Sequence, residues 1–294
     1  MRNAFAATVT SLLDQDPRAA LVLAEISETL FEEAMLRHPE RVVNIGIMEQ
    51  TMVGVAAGFA MEGFHPFAHS LSPFMAERPY EQLKLDFGYQ GLGGTFVGVG
   101  GSYDYAGEGG THHSPADVAA MLAIPGMEVL IPGHPREVDQ LLRATYADGR
   151  PTYVRLGASK NDEPLTVAPG RMEIVRSGSR ATVLAVGPML SRSLAACEGL
   201  DVSVIYATSA RPFDAATVAS VAGSAPLIVT VEPFYEGTLA PVVTVALAHV
   251  PARYLSIGVP RAFIHDYGTP ADLDADLGLD AAGIRRRLVD ALGT

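Results

Sequence analysis

Short apolar runs rich in β-branched residues alternate with amphipathic stretches along the whole 294-residue chain. This alternation predicts strands buried in a parallel sheet, with helices that cover the sheet. In the first half, the predicted strands are Ala20–Ala24, Val42–Ile45, His65–Ser70, Thr95–Val99, Glu128–Ile131 and Thr152–Leu156. The predicted helices are Glu28–Arg37, Glu49–Met61, Pro73–Phe87, Pro115–Leu122 and Pro135–Tyr146, with Ser114 as the N-cap before Pro115.

A second series begins after Lys160–Gly178, a stretch rich in Pro, Gly and charge that predicts a loop. Its predicted strands are Ala181–Val186, Asp201–Tyr206, Leu227–Val231 and Arg253–Ile257, and its predicted helices are Pro188–Glu198, Asp214–Ala222, Thr238–Ala248 and Asp280–Leu292. The chain is therefore expected to be an α/β protein of two doubly wound domains. We place the larger domain over residues 1–165 and the smaller over residues 175–294.

The formal net charge of −12 and the pI of about 5.1 limit the classes of partner. A field of that sign repels nucleic acid and anionic membrane surfaces, so we expect neither as a partner. No apolar run is long enough to span a bilayer. The acidic residues that follow the first short apolar stretch predict an opening helix rather than a signal peptide. A cytoplasmic protein is expected.

The segment Asn44-Ile45-Gly46-Ile47-Met48-Glu49-Gln50 predicts a strand, a glycine turn and a helix start. Glu49 would lie at the carboxyl end of a strand, where ligands of open α/β sheets bind. A carboxylate in a first helical turn is also stabilised by the helix dipole, so a purely structural charge explains Glu49 equally well. The small residues Gly54, Ala56, Ala57 and Gly58 predict close packing of this helix.

This segment resembles the GIxEQ-x-M-x-G-x-A-x-G-x-A motif of the transketolase family. In that family the glutamate hydrogen-bonds a ring nitrogen of the aminopyrimidine of thiamine diphosphate. A proton shared there favours the imino tautomer, whose nitrogen removes the proton of the neighbouring thiazolium carbon. The resemblance implies that Glu49 activates this cofactor and that Gln50 lies beside it.

A second stretch, PFAHSLSPFM followed by YEQLKLD, is similar to the family block PFxxTFxxFxxRxYDQxxxD. The second phenylalanine of that block stacks on the aminopyrimidine, and the matching residue is Phe74. An isolated phenylalanine before a helix is otherwise more often a core residue. Leu71 stands where the family has its first phenylalanine, so the resemblance implies an aliphatic pocket wall. His69, in the same block, is a candidate substrate residue.

A third stretch, Glu108-Gly109-Gly110-Thr111-His112-His113-Ser114, looks like the family loop DGPTHQ. The family histidine transfers protons to substrate oxygens, which implies that role for His112, because imidazole exchanges protons near neutral pH. Glu108 stands where the family has an aspartate; it either recognises a substrate hydroxyl or is a solvated loop charge. His113 is a further candidate near the substrate. Paired histidines also suggest a metal, but ligands at suitable spacing are missing, so no metal site is expected here.

The resemblance covers nearly the whole chain and implies a thiamine-pyrimidine-binding domain followed by a smaller transketolase C-terminal-type domain. Enzymes of this class hold the diphosphate through Mg²⁺ with a GDG motif followed by asparagines, and no GDG triplet occurs in this sequence. The diphosphate-binding half is therefore expected on a separate α-type partner chain that carries GDG…N. An α2β2 heterotetramer with a β–β contact is the expected assembly.

Two positions depart from the family at the substrate end. Gly100 replaces a histidine, and Ala158 replaces the arginine after the RLG segment; both contribute in the family to a cationic clamp on sugar phosphates. Neutral residues cannot restore charged, bidentate recognition of phosphate. The replacements predict an acceptor other than an ordinary aldose phosphate, unless Lys160, Arg2 or the partner supplies the charge.

Three hypotheses of function follow. The first is a subunit that transfers a two-carbon ketol or acyl unit from a ketose or 2-oxo acid to an acceptor. The second is the β subunit of an oxo-acid dehydrogenase, which passes the acyl unit to a lipoyl arm; the THH loop and the RLG ending favour the first. The third is a binding chain without turnover, which the joint presence of Glu49, Phe74 and His112 disfavours.

Overall fold

A computed structural model describes residues 1–223 and 225–293 of the chain. Within these residues the strands form two sheets, and most neighbouring strands are parallel. The strands are β1 (Ala19–Leu23), β2 (Val42–Asn44), β3 (His65–Leu71), β4 (Gly94–Val99), β5 (Glu128–Leu130), β6 (Pro151–Leu156), β7 (Met172–Arg176), β8 (Thr182–Val186), β9 (Ser203–Ala207), β10 (Ser209–Arg211), β11 (Leu227–Tyr235) and β12 (Arg253–Val259).

The larger sheet has seven strands in the order β10-β5-β6-β4-β3-β1-β2, and the smaller has five in the order β12-β11-β8-β9-β7, counted over the described residues. The pairs β5–β10 and β7–β9 are antiparallel, and the other pairs are parallel. Every residue of β1, β3, β4 and β6 is buried, as expected for strands covered on both faces. The two-domain α/β fold class predicted from the sequence is confirmed.

Helices cover both sheets. They are α1 (Arg2–Gln15), α2 (Glu32–Arg37), α3 (Glu49–Met61), α4 (Ser72–Ala76), α5 (Tyr80–Gln82), α6 (Asp117–Leu122), α7 (Pro135–Thr145), α8 (Leu190–Ala196), α9 (Ala215–Ala222), α10 (Ala240–Ala246), α11 (Pro270–Asp276) and α12 (Ala281–Leu292). Local chemistry fixes several ends: Asp280 caps α12 by accepting a hydrogen bond from Gly283 N at 2.7 Å. No helix of the described chain is both long and apolar enough to cross a membrane.

Several predicted elements need correction. The prediction of a single helix over Pro73–Phe87 is wrong. Helix α4 ends at Ala76, and Pro79 lies in the break before α5. A π-helical segment then spans Leu83–Tyr89. The predicted N-cap at Ser114 is also wrong, because Ser114 pairs with Ser102 in an isolated β-bridge and α6 begins at Asp117.

Further corrections concern elements that were not predicted and the ends of two that were. The predicted loop Lys160–Gly178 contains β7, and β10 and α11 were not predicted. The predicted helix Glu28–Arg37 begins with a 3₁₀ turn at Glu28–Leu30, and its α-helical part starts only at Glu32. Strand β11 continues four residues past the predicted end, to Tyr235.

Candidate functional site

The predicted site residues gather at one edge of the larger sheet, where its parallel strands end. Glu49 follows β2, Leu71 ends β3, and Phe74 comes three residues later. The loop with His112 follows β4, and Ala158 follows β6. Carboxyl ends of parallel strands meet at the same edge, which is where open α/β sheets bind ligands. The sequence motifs, spread over more than a hundred residues, thus meet in one place.

Glu49 is the first residue of α3, and only 1% of it is exposed. Its Oε1 accepts a hydrogen bond from Ser70 Oγ at 3.3 Å. One guanidinium nitrogen of Arg78 donates to both carboxylate oxygens, at 3.2 and 3.1 Å. A buried carboxylate needs such partners, and here the positive charge comes from a side chain that is 42% exposed.

Phe74 lies beside this ion pair. The guanidinium carbon of Arg78 lies 3.6 Å from the centre of the Phe74 ring, which is stacking distance. The His112 ring meets Phe74 edge-on, with centroids 5.3 Å apart, and the centroid of the Tyr105 ring lies 6.2 Å from that of His112. Glu49 and Phe74 therefore hold one flat cationic group between them, and the His112 ring packs against the edge of the same Phe74.

This occupant tests whether the site suits the cofactor implied by the resemblance. A guanidinium is planar, charged and a hydrogen-bond donor, and the pocket holds it by a carboxylate and an aromatic face. A protonated aminopyrimidine offers the same three properties. The residues present fit the pyrimidine end of thiamine diphosphate. Over the described residues, no group of three or more His, Cys, Asp or Glu is arranged to hold a metal ion.

The loop that carries His112 is fixed to the smaller sheet. Arg155 donates to Asp117 Oδ2 at 2.9 Å and to the Pro233 carbonyl at 3.0 Å, and the Ser102 hydroxyl also donates to that carbonyl. Tyr103 donates to Asp274 at 2.7 Å. The residues after β4 are thus held between two domains, which orients the His112 loop.

The remaining site candidates differ in exposure. Gln50 and Glu108 are exposed, whereas Leu71 is buried beside the pocket. The His112 ring has a hydrogen-bond partner next to it in the chain, because Thr111 Oγ1 lies 2.9 Å from His112 Nδ1. His113 lines a cavity of about 250 Å³, together with Tyr235 and Phe263. Burial, with a smaller effect of the His112 charge, lowers the pKa of His113.

His69 is fully buried and supports another side chain. Its Nδ1 lies 2.8 Å from the Val97 carbonyl, and its Nε2 lies 2.7 Å from Ser27 Oγ. Burial lowers the pKa of His69 to about 4, so the neutral ring donates from Nδ1 to Val97 and accepts from Ser27. Ser27 in turn accepts from Arg2 Nε at 2.7 Å. His69 thus holds Arg2 through Ser27.

The backbone at Gly100 leaves no room for the side chain of the histidine that the family has at this position. Its φ of +79° favours glycine, and a Cβ there would lie 2.0 Å from the Tyr105 ring. Tyr105 fills the space instead. Ala158 is exposed, and its N–H donates to Asp104 Oδ2 at 2.8 Å. The terminal nitrogens of Arg2 and the Lys160 amine form no hydrogen bond or ion pair with the described part of the chain.

The prediction of close packing along α3 is only half right. Ala56 and Ala57 are buried, but Gly54 and Gly58 are exposed, and a Cβ added at either glycine would meet no atom within 4 Å. Met61, at the end of the same helix, is 68% exposed. The sequence could not show which way these glycines face. Small residues spaced along a helix are expected both where the helix packs closely inside the chain and where its face is open.

Arg78 is the site residue that sequence reasoning missed. The sequence feature that could have identified Arg78 is the arginine of the family block PFxxTFxxFxxRxYDQxxxD. However, an arginine next to Pro79 after a short helix is equally typical of a surface charge.

Comparisons with known proteins agree with the geometry. The family model described as the transketolase pyrimidine-binding domain matches residues 1–161, and that of the transketolase C-terminal domain matches residues 170–284. A solved structure described as a split-gene transketolase, in an inactive β4 tetramer, has a TM-score of 0.86 and 25% identity, and covers 99% of this chain and 97% of that one. Transketolase from Campylobacter jejuni shares the fold, with a TM-score of 0.79 at 14% identity over 98% of this chain and 46% of that chain.

Sequence relatives are of two kinds. An uncharacterised 33.6 kDa protein of the fasciation locus of Rhodococcoides fascians is 41% identical over all of this chain and 95% of its own length. The 1-deoxy-D-xylulose-5-phosphate synthase of Acidovorax ebreus is 37% identical over 87% of this chain, and that of Alkalilimnicola ehrlichii is 34% identical over 99%. The chain spans only 42% and 48% of these two synthases.

The fold and the family models together define a two-domain α/β chain, with a domain of the pyrimidine-binding type followed by a domain of the transketolase C-terminal type. The chain belongs to the transketolase family, as both family models indicate. Proteins of this family use thiamine diphosphate.

Proposed function

We propose that this chain is the pyrimidine-binding and C-terminal subunit of a two-component thiamine-diphosphate transferase. It would move a two-carbon ketol or acyl unit from a ketose or 2-oxo acid to an acceptor. The observation that carries the proposal is one flat cationic group held by Glu49 and Phe74, with the His112 ring packed against Phe74.

Each residue has a role in the proposal. Thiamine diphosphate supplies the carbanion chemistry that breaks and forms carbon–carbon bonds. Glu49 binds a ring nitrogen of the pyrimidine and shares its proton, Phe74 stacks on the ring, and Leu71 closes the pocket wall. His112 gives and takes protons at substrate oxygens, and the anchored loop keeps its ring beside the pocket.

The diphosphate and its Mg²⁺ are assigned to a partner chain with a GDG…N motif, because this sequence has no GDG triplet. The split-gene relative supports this assignment, since its β chains alone are described as an inactive tetramer. An α2β2 assembly is proposed, with the β–β contact at the exposed face of α3. There Gly54 and Gly58 leave room for a second helix, and Met61 offers an exposed apolar side chain.

Calorimetry tests the two-component proposal. The isolated chain with Mg²⁺ should bind thiamine diphosphate no tighter than roughly millimolar, about 4 kcal/mol, because only ring contacts are present. Reconstitution with a GDG-bearing chain should give tight binding and turnover. Micromolar affinity of the isolated chain would contradict the proposal. Product analysis with and without a lipoyl acceptor then separates the transketolase-type reaction from an oxo-acid dehydrogenase subunit.

A further inference from the structure

Arg78 makes the two contacts that the proposed function assigns to the cofactor ring. Its guanidinium hydrogen-bonds both oxygens of Glu49 and lies 3.6 Å above the Phe74 ring. A pyrimidine ring stacked on the same face and bonded to the same carboxylate would need the same space. Arg78 and the ring therefore cannot hold both contacts at once.

The position of Arg78 in the chain allows its guanidinium to leave the pocket. It lies in the break between α4 and α5, next to Pro79, and its side chain is 42% exposed. The arginine stem is long, and a half-exposed guanidinium is well solvated once it leaves its partner. Glu49, in contrast, is fixed at the start of α3 and is 1% exposed.

We propose that Arg78 is an exchangeable occupant of the pyrimidine pocket, which satisfies Glu49 in the empty subunit and sets the affinity for the incoming ring by competing with it. This inference rests on the proposed function. Affinity falls in proportion to the fraction of molecules whose site is open. If the Arg78–Glu49 pair is formed about nine-tenths of the time, its removal should strengthen ring binding about tenfold.

The test measures binding of 4-amino-5-hydroxymethyl-2-methylpyrimidine, the detached pyrimidine half of thiamine, to the isolated chain by ligand-observed NMR. Arg78→Ala should bind this probe about tenfold more tightly than the native chain. Arg78→Lys should fall between the two, because it keeps the charge and loses the flat fork. Arg18→Ala is the matched control, since Arg18 is an exposed arginine paired with Asp16 away from the pocket.

Chemical rescue separates occupancy from a general structural effect. Guanidinium chloride, at a concentration far below its denaturing range, should refill the space in Arg78→Ala and bring its affinity back toward the native value. Sodium chloride at equal ionic strength should not do so. Probe binding by Arg78→Ala that is no tighter than native, with Glu49→Ala still abolishing it, would overturn the inference and leave the pyrimidine pocket standing. Probe binding that ignores Glu49→Ala would overturn the pocket and the inference together.

Discussion

The larger and the smaller sheet each place a buried glutamate near the end of a parallel strand, and the two carboxylates are satisfied in different ways. Glu232 in β11 is fully buried and accepts hydrogen bonds from the N–H groups of Thr238 and Leu239, at 3.2 and 3.0 Å, and from Ser256 Oγ at 3.3 Å. Glu49 relies on Ser70 and on the tip of Arg78.

In the proposed function, this difference separates a structural carboxylate, Glu232, from a ligand-binding one, Glu49. The main donors to Glu232 belong to the backbone of one chain segment, so they cannot leave without local unfolding. The charged donor to Glu49 is a half-exposed side chain, which we propose can be exchanged for another cation. A buried carboxylate can thus serve as a binding site when the cation that pairs with it can be replaced by a ligand.

The largest effect is expected when Glu49 is removed. Glu49→Ala should slow exchange of the cofactor's thiazolium proton in the assembled complex by about a hundred- to ten-thousandfold, the range of acid–base assistance. Exchange is measured by NMR in deuterated buffer. The unfolding free energy should change by less than about 1 kcal/mol, because Arg78 is left solvated. Normal exchange in this variant would return Glu49 to the role of a helix-end charge.

The next effect concerns the pH dependence of stability. Burial raises the pKa of Glu232 from 4.5 to about 7, so the native state binds this proton more tightly than the unfolded state. Its contribution to stability is therefore full below pH 4.5 and is lost as the pH rises through about 7. Between these limits, the native chain should lose up to about 3 kcal/mol relative to Glu232→Gln. Urea unfolding at both ends of the window checks this, and a constant difference would contradict it.

The next prediction concerns the choice of acceptor, which depends on the cationic side chains at the substrate end of the site. With Gly100 and Ala158 at the clamp positions, the reconstituted complex should use unphosphorylated acceptors at least as well as ribose 5-phosphate, measured as kcat/KM. Loss of one charged partner corresponds to roughly 1.5–3 kcal/mol, or about ten- to a hundredfold in specificity.

A strong native preference for ribose 5-phosphate would mean that another cation supplies the charge. In that case Arg2→Ala should abolish the preference and Lys160→Ala should not, because Arg2 is held by Ser27 whereas Lys160 has no fixed partner in the described chain. Insensitivity to both substitutions would assign the charge to the partner chain.

The smallest effect is expected at Gly100. Gly100→Ala should lower the unfolding free energy by about 1–2 kcal/mol, because a Cβ in the left-handed region is strained and meets Tyr105. Gly110→Ala is the control, since that glycine faces open space. For the same reason, Gly100→His cannot restore the family clamp without moving Tyr105. Equal stability of the two alanine variants, measured by thermal unfolding, would contradict this account.

Much of the fold could be predicted because the buried parallel strands leave uninterrupted apolar runs in the sequence. The strands that were missed, β7 and β10, are the antiparallel ones at sheet edges, where such runs are short or absent. The position of Glu49 could be predicted because motif and strand end coincide. The Arg78–Glu49 pair spans 29 residues and the His69–Ser27 pair spans 42, and no local pattern encodes such contacts.

Strand β10 has a consequence for how the chain unfolds. It comes from the second half of the sequence, yet it completes the larger sheet by pairing with β5, and Arg211 donates to the carbonyls of Leu122, Ile124 and Met127. A polypeptide cut near residue 165 would leave the edge of β5 bare, and bare sheet edges promote aggregation. We therefore expect the two halves to unfold as one cooperative unit, and limited proteolysis between them should release no stable fragment.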